Sequence, residues 1–251
     1  MYLVLYNSYD TAALWAFRGL KAHGLNPIEL VDADSLVCNP YFEHRIKTNQ
    51  VSTKIKLPDG RQINSETTLG VLNRLQSIPT AQLKASKADN LYALQELTAL
   101  FVSWLYSLPR PVLNPATPQG LSGEFKHASK WILMANSAGL TTAKYEQDSY
   151  DADKAPFRWI GRLVPPETPV KTVFVVYSQV VGKDIPPEVA EGCRRIAELA
   201  ETPLLGIEFS DSFNDPWTFV GATPFPDLTL GGEALLDELA HALQSKREGH
   251  R

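Results

Sequence analysis

Cysteine is scarce: Cys38 and Cys193 are the two in 251 residues, and they stand far apart. So widely spaced a pair is no disulfide framework, and neither has a metal-ligand neighbour at short spacing. The five histidines (His23, His44, His127, His241, His250) form no metal-binding pattern either. Packing is therefore the expected role of both thiols. No apolar run approaches the ~20 residues that a membrane span needs. The opening MYLVLYNSYD has no basic stretch and carries an acid by position ten, so it does not read as a secretory signal. These absences point to a reducing cytoplasm and no membrane partner. Nor is there a block of one charge: 24 basic and 28 acidic residues give a formal charge of −4, spread along the chain. Without a basic patch, nucleic acid is not an expected partner. Two catalytic signatures are missing as well. No G-x-S-x-G nucleophile elbow occurs, and no Gly-Lys-Ser/Thr closes a phosphate-binding loop.

What is present is ordinary for a folded protein: 44% hydrophobic and 21% charged residues, enough to bury one large core or two small ones. The first thirty residues read as a β-α-β unit. Tyr2 to Tyr6 suits a buried strand, Asp10 or Thr11 can cap a helix with Leu14, Trp15, Phe17 and Leu20 on its apolar face, and Gly24 stops it. Ile28 to Val31 follows as a strand, expected parallel to the first. In Val51 to Asn64, apolar residues alternate around Pro58-Asp59-Gly60, which predicts a hairpin. Val71 to Arg74 reads as another strand. Leu91, Leu94, Leu97, Phe101, Trp104 and Leu105 recur at helical spacing between Ser86 and Leu105, with Ser86 and Asp89 as a capping box and Pro109 beyond. Pro111 to Asn114 reads as a short strand, residues 123–138 as a helix ended by Gly139, and Leu140 to Tyr145 as an extended segment. The pattern breaks from Glu146 to Pro169. Beyond it come strands at Thr172–Tyr177, Leu204–Phe209 and Trp217–Val220, and helices at Pro187–Ala200 and Gly232–Leu243.

In this order the segments resemble the ATP-grasp ligases, of the RimK-like and peptide-maturation type. The carrying residues in the N-terminal half are VLNR (71–74), LYALQEL (91–97), PVLN (111–114) and ANSAGL (135–140). In the C-terminal half they are GIEF (206–209) and WTFVGATPFPDL (217–228). The resemblance implies an α/β protein with a Rossmann-like pre-ATP-grasp half over residues 1–120 and a truncated ATP-grasp-like half over residues 121–251. It also implies ATP-dependent activation of a carboxylate as an acyl phosphate, which an amine then attacks. That chemistry uses Mg²⁺ to neutralise the triphosphate.

The sequence departs from the family pattern in two places. The Glu-x-Asn metal ligands align with Gly221 and Thr223, leaving Glu208 as the candidate Mg²⁺ ligand. Between Tyr145 and Val170 there is too little chain for a multi-stranded nucleotide lid, and Lys154 and Lys171 match no lid motif. The expected function is accordingly a catalytically degenerate ATP-grasp-like protein, a binding or accessory subunit with a protein partner or a second copy of itself. The alternative is an ATP-dependent carboxylate–amine ligase with a minimal or partner-supplied lid, needing ATP and Mg²⁺. A second alternative is a small-molecule-binding protein that uses no nucleotide.

Candidate ligand-binding residues follow from residue type and place. Arg74, at the end of an apolar strand, can hold an anion; its structural alternative is an ion pair with Glu96. Asn114 ends the next strand. Gln119 to Gly123 can offer backbone N–H groups to a phosphate at a helix start, with Lys126 and Lys130 adding charge; the alternative is a loop and helix cap. Asp211 and Asp215 read as turn residues near Glu208.

Overall fold

The computed structural model describes residues 1–80, 86–109, 111–145, 170–211 and 215–245. They fall into two compact units, one formed by Met1–Glu124 with the last helix from Leu236, the other by Phe125–Leu235. The stretch from Glu146 to Pro169, Lys154 included, lies outside the described residues.

The first unit holds a parallel sheet. Its strands are β1 (Tyr2–Tyr6), β2 (Ile28–Asp32), β6 (Gly70–Arg74) and β7 (Val112–Leu113), in the order β2-β1-β6-β7. Helix α1 (Thr11–Ala22) connects β1 to β2. Asp10 caps it by accepting from the Ala13 N–H at 3.1 Å, and Gly24 lets the chain leave with φ +85°. A short α2 (Ala33–Val37) starts on a second carboxylate cap, Asp32.

A three-stranded antiparallel sheet follows: β3 (Tyr41–Lys47), β4 (Gln50–Lys56) and β5 (Gln62–Asn64). The sequence reading found the β4–β5 hairpin and missed β3, whose residues are mostly exposed and show no apolar alternation. Helix α3 (Lys87–Tyr106) starts at Ser86, whose Oγ accepts from the Asp89 N–H as the capping-box spacing predicts. Leu3, Leu5 and Val71 of the parallel sheet, Ile55 and Ile63 of the small sheet, and Phe101 and Trp104 of α3 form one buried cluster.

The second unit carries α4 (Ala128–Ser137), α5 (Pro187–Leu199) and four antiparallel strands: β8 (Lys171–Val176), β9 (Gln179–Val181), β10 (Leu204–Ser210) and β11 (Thr218–Thr223). Their order is β11-β10-β8-β9. Val173, Val175, Leu205, Ile207 and Phe209 form one sheet face, packed with Trp131 and Ala135 of α4 and Val189, Cys193 and Ile196 of α5. Gly192 lets Leu140 pack close to α5 there, since a Cβ would stand 2.4 Å from Leu140 Cδ2. The last helix, α6 (Gly232–Gln244), places Leu236 in the space that Gly19 of α1 leaves; a Cβ on Gly19 would lie 2.4 Å from Leu236 Cδ1.

Two titratable groups in these cores give tests. The Cys193 thiol is fully buried, and burial pushes it up to about 12, whereas Cys38 is exposed. Thiolate is the reactive form, so native protein should take up one equivalent of iodoacetamide, at Cys38, and two after unfolding in urea. Rapid labelling of Cys193 in native protein would contradict this packing. His44 of β3 bridges Thr53 Oγ1 (2.8 Å) and Ser103 Oγ (2.9 Å), and burial holds its imidazole below its ordinary value. The unfolded chain then binds more protons once pH drops below about 6.5. Stability should be fully present above that value and decline as pH falls toward the folded-state value. Urea midpoints from pH 7.5 to 5 should show this slope, and His44→Gln should reduce it.

Candidate functional site

The parallel sheet has its topological switch point between β1 and β6, because α1 leads from β1 to β2 on one side while β6 lies on the other. Ligands of open α/β sheets bind beyond the carboxyl ends of strands at such a point. Tyr6 of β1 and Arg74 of β6 are register partners there. Arg74, 3% exposed, donates from Nε to Asp10 Oδ2 at 2.6 Å and from Nη2 to Asp10 Oδ1 at 3.2 Å. Its third nitrogen, Nη1, is buried and has no hydrogen-bond partner among the described residues. The expected alternative partner was wrong: Glu96 is exposed on α3, and the ion pair goes to Asp10. Helix α1 begins at the end of β1, so its cap stands beside the end of the neighbouring strand.

Around this pair the backbone is tied down by amides. Asn7, directly after β1, accepts from the Gln76 N–H at 2.8 Å and donates to the Ser77 carbonyl at 2.9 Å. Asn73 is fully buried and donates to the carbonyls of Asn114 (2.9 Å) and Leu121 (2.7 Å). Ser122 donates to the Leu75 carbonyl at 2.9 Å. Asn114 itself is buried with φ +60°, a left-handed conformation that asparagine tolerates. Asn73 and Asn114 therefore act together to fix the loops at the carboxyl ends of β6 and β7.

The loop Gln119–Gly123 closes on itself. Thr117 and Gly120 exchange backbone hydrogen bonds of 2.9 and 3.1 Å, and a Cβ on Gly120 would fall 2.3 Å from the Gly123 carbonyl oxygen. These contacts build the loop that the structural alternative expects. The helix expected from residue 123 begins at Ala128 instead, because Gly123 has φ +101° and His127 supplies the cap by accepting from the Ser129 N–H. Lys126 thus precedes the helix, nearly buried, with its Nζ 5.7 Å from the Trp131 ring centroid. Lys130 lies in the first turn of α4.

In the second unit, Glu208 of β10 stands between Thr172 of β8 and Gly221 of β11 in register. A bulge between Glu208 and Phe209 shifts the pairing beyond it. Asp215 makes a turn by accepting from the Trp217 N–H at 2.8 Å, as its sequence context predicted. Among the described residues no three His, Cys, Asp or Glu side chains gather as a metal-binding group. No described helix is long and apolar enough to cross a membrane.

No protein-family model matches the sequence, and no curated protein matches it. Solved structures do match. The macrocyclase MdnC from Microcystis aeruginosa MRC, bound with precursor peptide MdnA, superposes with a TM-score of 0.71 at 12% identity, over 97% of this chain and 99% of that one. A RiPP-associated ATP-grasp ligase from Chryseobacterium gregarium, in complex with ADP and a leader and core peptide, gives 0.72 at 10% identity, over 100% and 98%. The ATP-grasp ligase PsnB, complexed with a minimal precursor, Mg and ADP, gives 0.62 at 16% identity, over 98% of each chain. This is the ATP-grasp ligase fold.

Within that fold the metal question turns on one strand pair. Gly221 and Thr223, where the sequence resemblance puts the family's Glu-x-Asn positions, lie on β11, and Glu208 is the register partner of Gly221. Magnesium asks for near-octahedral oxygen ligation, usually including one or two carboxylates. The described residues bring one carboxylate to this place and do not by themselves fit the ion. Reasoning from sequence named Arg74, Asn114 and Glu208 but missed Asp10 as the arginine's partner. Asp10 was one of two cap candidates, with Thr11, and a cap carboxylate has a second oxygen to offer.

Proposed function

We propose that this chain is a peptide-directed carboxylate–amine ligase of the ATP-grasp type. The reaction joins a peptide carboxylate to an amine. ATP phosphorylates the carboxylate to an acyl phosphate and leaves as ADP, then the amine displaces phosphate to form an amide. The observation that supports this reading best is the extent of the likeness. It runs over nearly the whole of both chains for ligases crystallised with precursor peptides, two of them with ADP as well. A similar fold alone does not carry an activity, so the reading rests on the catalytic test below. Glu208 is the residue of the second unit assigned to the phosphate-transfer region, with a minimal or partner-supplied lid completing the site.

A second reading has an observation of its own. Gly221, the register partner of Glu208, and Thr223, the partner of Gly206, offer no carboxylate, which favours a peptide-binding accessory subunit acting beside a complete ligase. One experiment separates the two. The full chain is incubated with ATP, MgCl₂ and a synthetic peptide carrying glutamate and lysine side chains, while ADP and peptide mass are followed. The ligase reading expects ADP release and loss of one water from the peptide, both diminished in Glu208→Gln. No ADP, together with peptide-dependent thermal stabilisation, is the result expected of an accessory subunit. A ligand at ~100 times its dissociation constant stabilises the folded state by about 2.7 kcal/mol, which a melting curve resolves. If neither ADP nor stabilisation appears, both readings fail.

A further inference from the structure

At one end of the antiparallel sheet the second unit contains a cavity of about 740 Å³, within the range of small-molecule sites. Its wall is apolar, with Val173, Phe174, Val181, Trp217, Leu230 and Ala234 among the lining residues. Leu230 is 66% exposed, so a large aliphatic side chain stands open at this place. The charged groups lining the cavity are Lys171, Lys183 and Asp184, all exposed. Neither lysine has a carboxylate partner among the described residues. Lys171 instead holds its ammonium 5.3 Å from the Trp217 ring centroid. An ammonium over an aromatic face keeps its remaining hydrogen-bond donors available, and the contact places charge and apolar surface side by side.

We propose that this cavity binds a small apolar monocarboxylate, its hydrocarbon or aromatic body against Trp217, Phe174 and Leu230 and its carboxylate on Lys171 and Lys183. The charge balance selects the valence. Two lysines against one aspartate leave a single positive charge, which matches one carboxylate. A triphosphate would bring several negative charges against Asp184. The lysines are point charges on flexible stems, without the arginine fork or Gly-rich loop that phosphates favour. The proposal stands apart from the ligase reading, because a ligand held here need not be ligated.

The test is isothermal titration of the full chain with N-acetyl-phenylalanine, with N-acetyl-phenylalanine amide as the uncharged counterpart and ATP as the polyanion. Saturable binding of the acid is expected, with the amide and Lys171→Met each weakening it about ten-fold or more. Ala234→Trp, a substitution at an exposed lining position, should block binding while leaving the melting temperature near that of the parent. Equal affinity for acid and amide would overturn the proposal, as would unchanged binding in either variant. Absence of saturable binding at millimolar acid would do the same, and so would tight binding of ATP that Ala234→Trp abolishes. ADP release in the ligation assay, with or without binding here, leaves the two questions separate.

Discussion

Replacing Arg74 by alanine should cost about 3–5 kcal/mol of stability, because it leaves the Asp10 carboxylate buried without its counter-charge. Both side chains are almost wholly enclosed, and two of the guanidinium nitrogens are engaged at 2.6 and 3.2 Å. A loss of this size is a large part of the ~5–15 kcal/mol that holds an ordinary domain together. Asp10→Asn isolates the charge: the amide oxygen can still accept from Ala13, so the cap of α1 persists while the ion pair is lost. Asp10→Ala removes both and should cost a further ~1 kcal/mol, the usual worth of a cap. The double variant Asp10→Ala/Arg74→Ala should lose less than the sum of the single changes, since neither charge is then stranded. Urea denaturation of the four variants gives the cycle. If Arg74→Ala costs less than about 1 kcal/mol, the pair is wetter than its enclosure implies.

The Arg74 pair also marks where reading the sequence stopped. The strand ending in Arg74 was legible, since Val71, Leu72 and their neighbours form an apolar run of the length a buried parallel strand uses. A cap at Asp10 or Thr11 was legible from its place before an apolar helix, and the structure puts it at Asp10. Their union was not, because the partners are 64 residues apart and meet only through the parallel register of β1 and β6. Local rules favoured Glu96, which lies on the helix next in sequence, and tertiary packing leaves it exposed. The same reason accounts for β3, which is mostly exposed and whose Phe42 and His44 meet Phe101, Trp104 and Ser103 of α3, far away in sequence. The turn and cap chemistry at Gly24, Ser86 and Gly139 was read correctly because it is encoded within four residues. For the candidate site, the strand carrying Glu208 was legible, whereas its place between Thr172 and Gly221 comes from long-range strand pairing. The cavity beside Trp217 was not legible, since its walls come from four separate segments of chain.

Trp104→Ala should be the other severe lesion, at about 3–5 kcal/mol. Trp104 of α3 is fully buried and meets two further rings edge-on: Phe42 of β3 at 5.7 Å and 87°, and Phe101 at 6.0 Å and 77°. Phe42 and Phe101 are themselves 6.0 Å apart, so the three rings close a triangle between the small antiparallel sheet and α3. Such pairs add about 0.5–1.5 kcal/mol beyond the area they bury. Alanine removes two sides of the triangle and leaves a cavity at the place where β3 is anchored. The indole Nε1 is buried with no hydrogen-bond partner among the described residues, a donor that costs about 1–3 kcal/mol to leave unsatisfied. Trp104→Phe removes that donor and keeps an aromatic ring in place. Its cost should therefore stay below about 1.5 kcal/mol, the range of shape-compatible core exchanges. Denaturant midpoints and near-ultraviolet circular dichroism of both variants would check the contrast. If phenylalanine were as damaging as alanine, the indole N–H would be making a contact that the stability depends on, and the aromatic triangle would not be the anchor of β3.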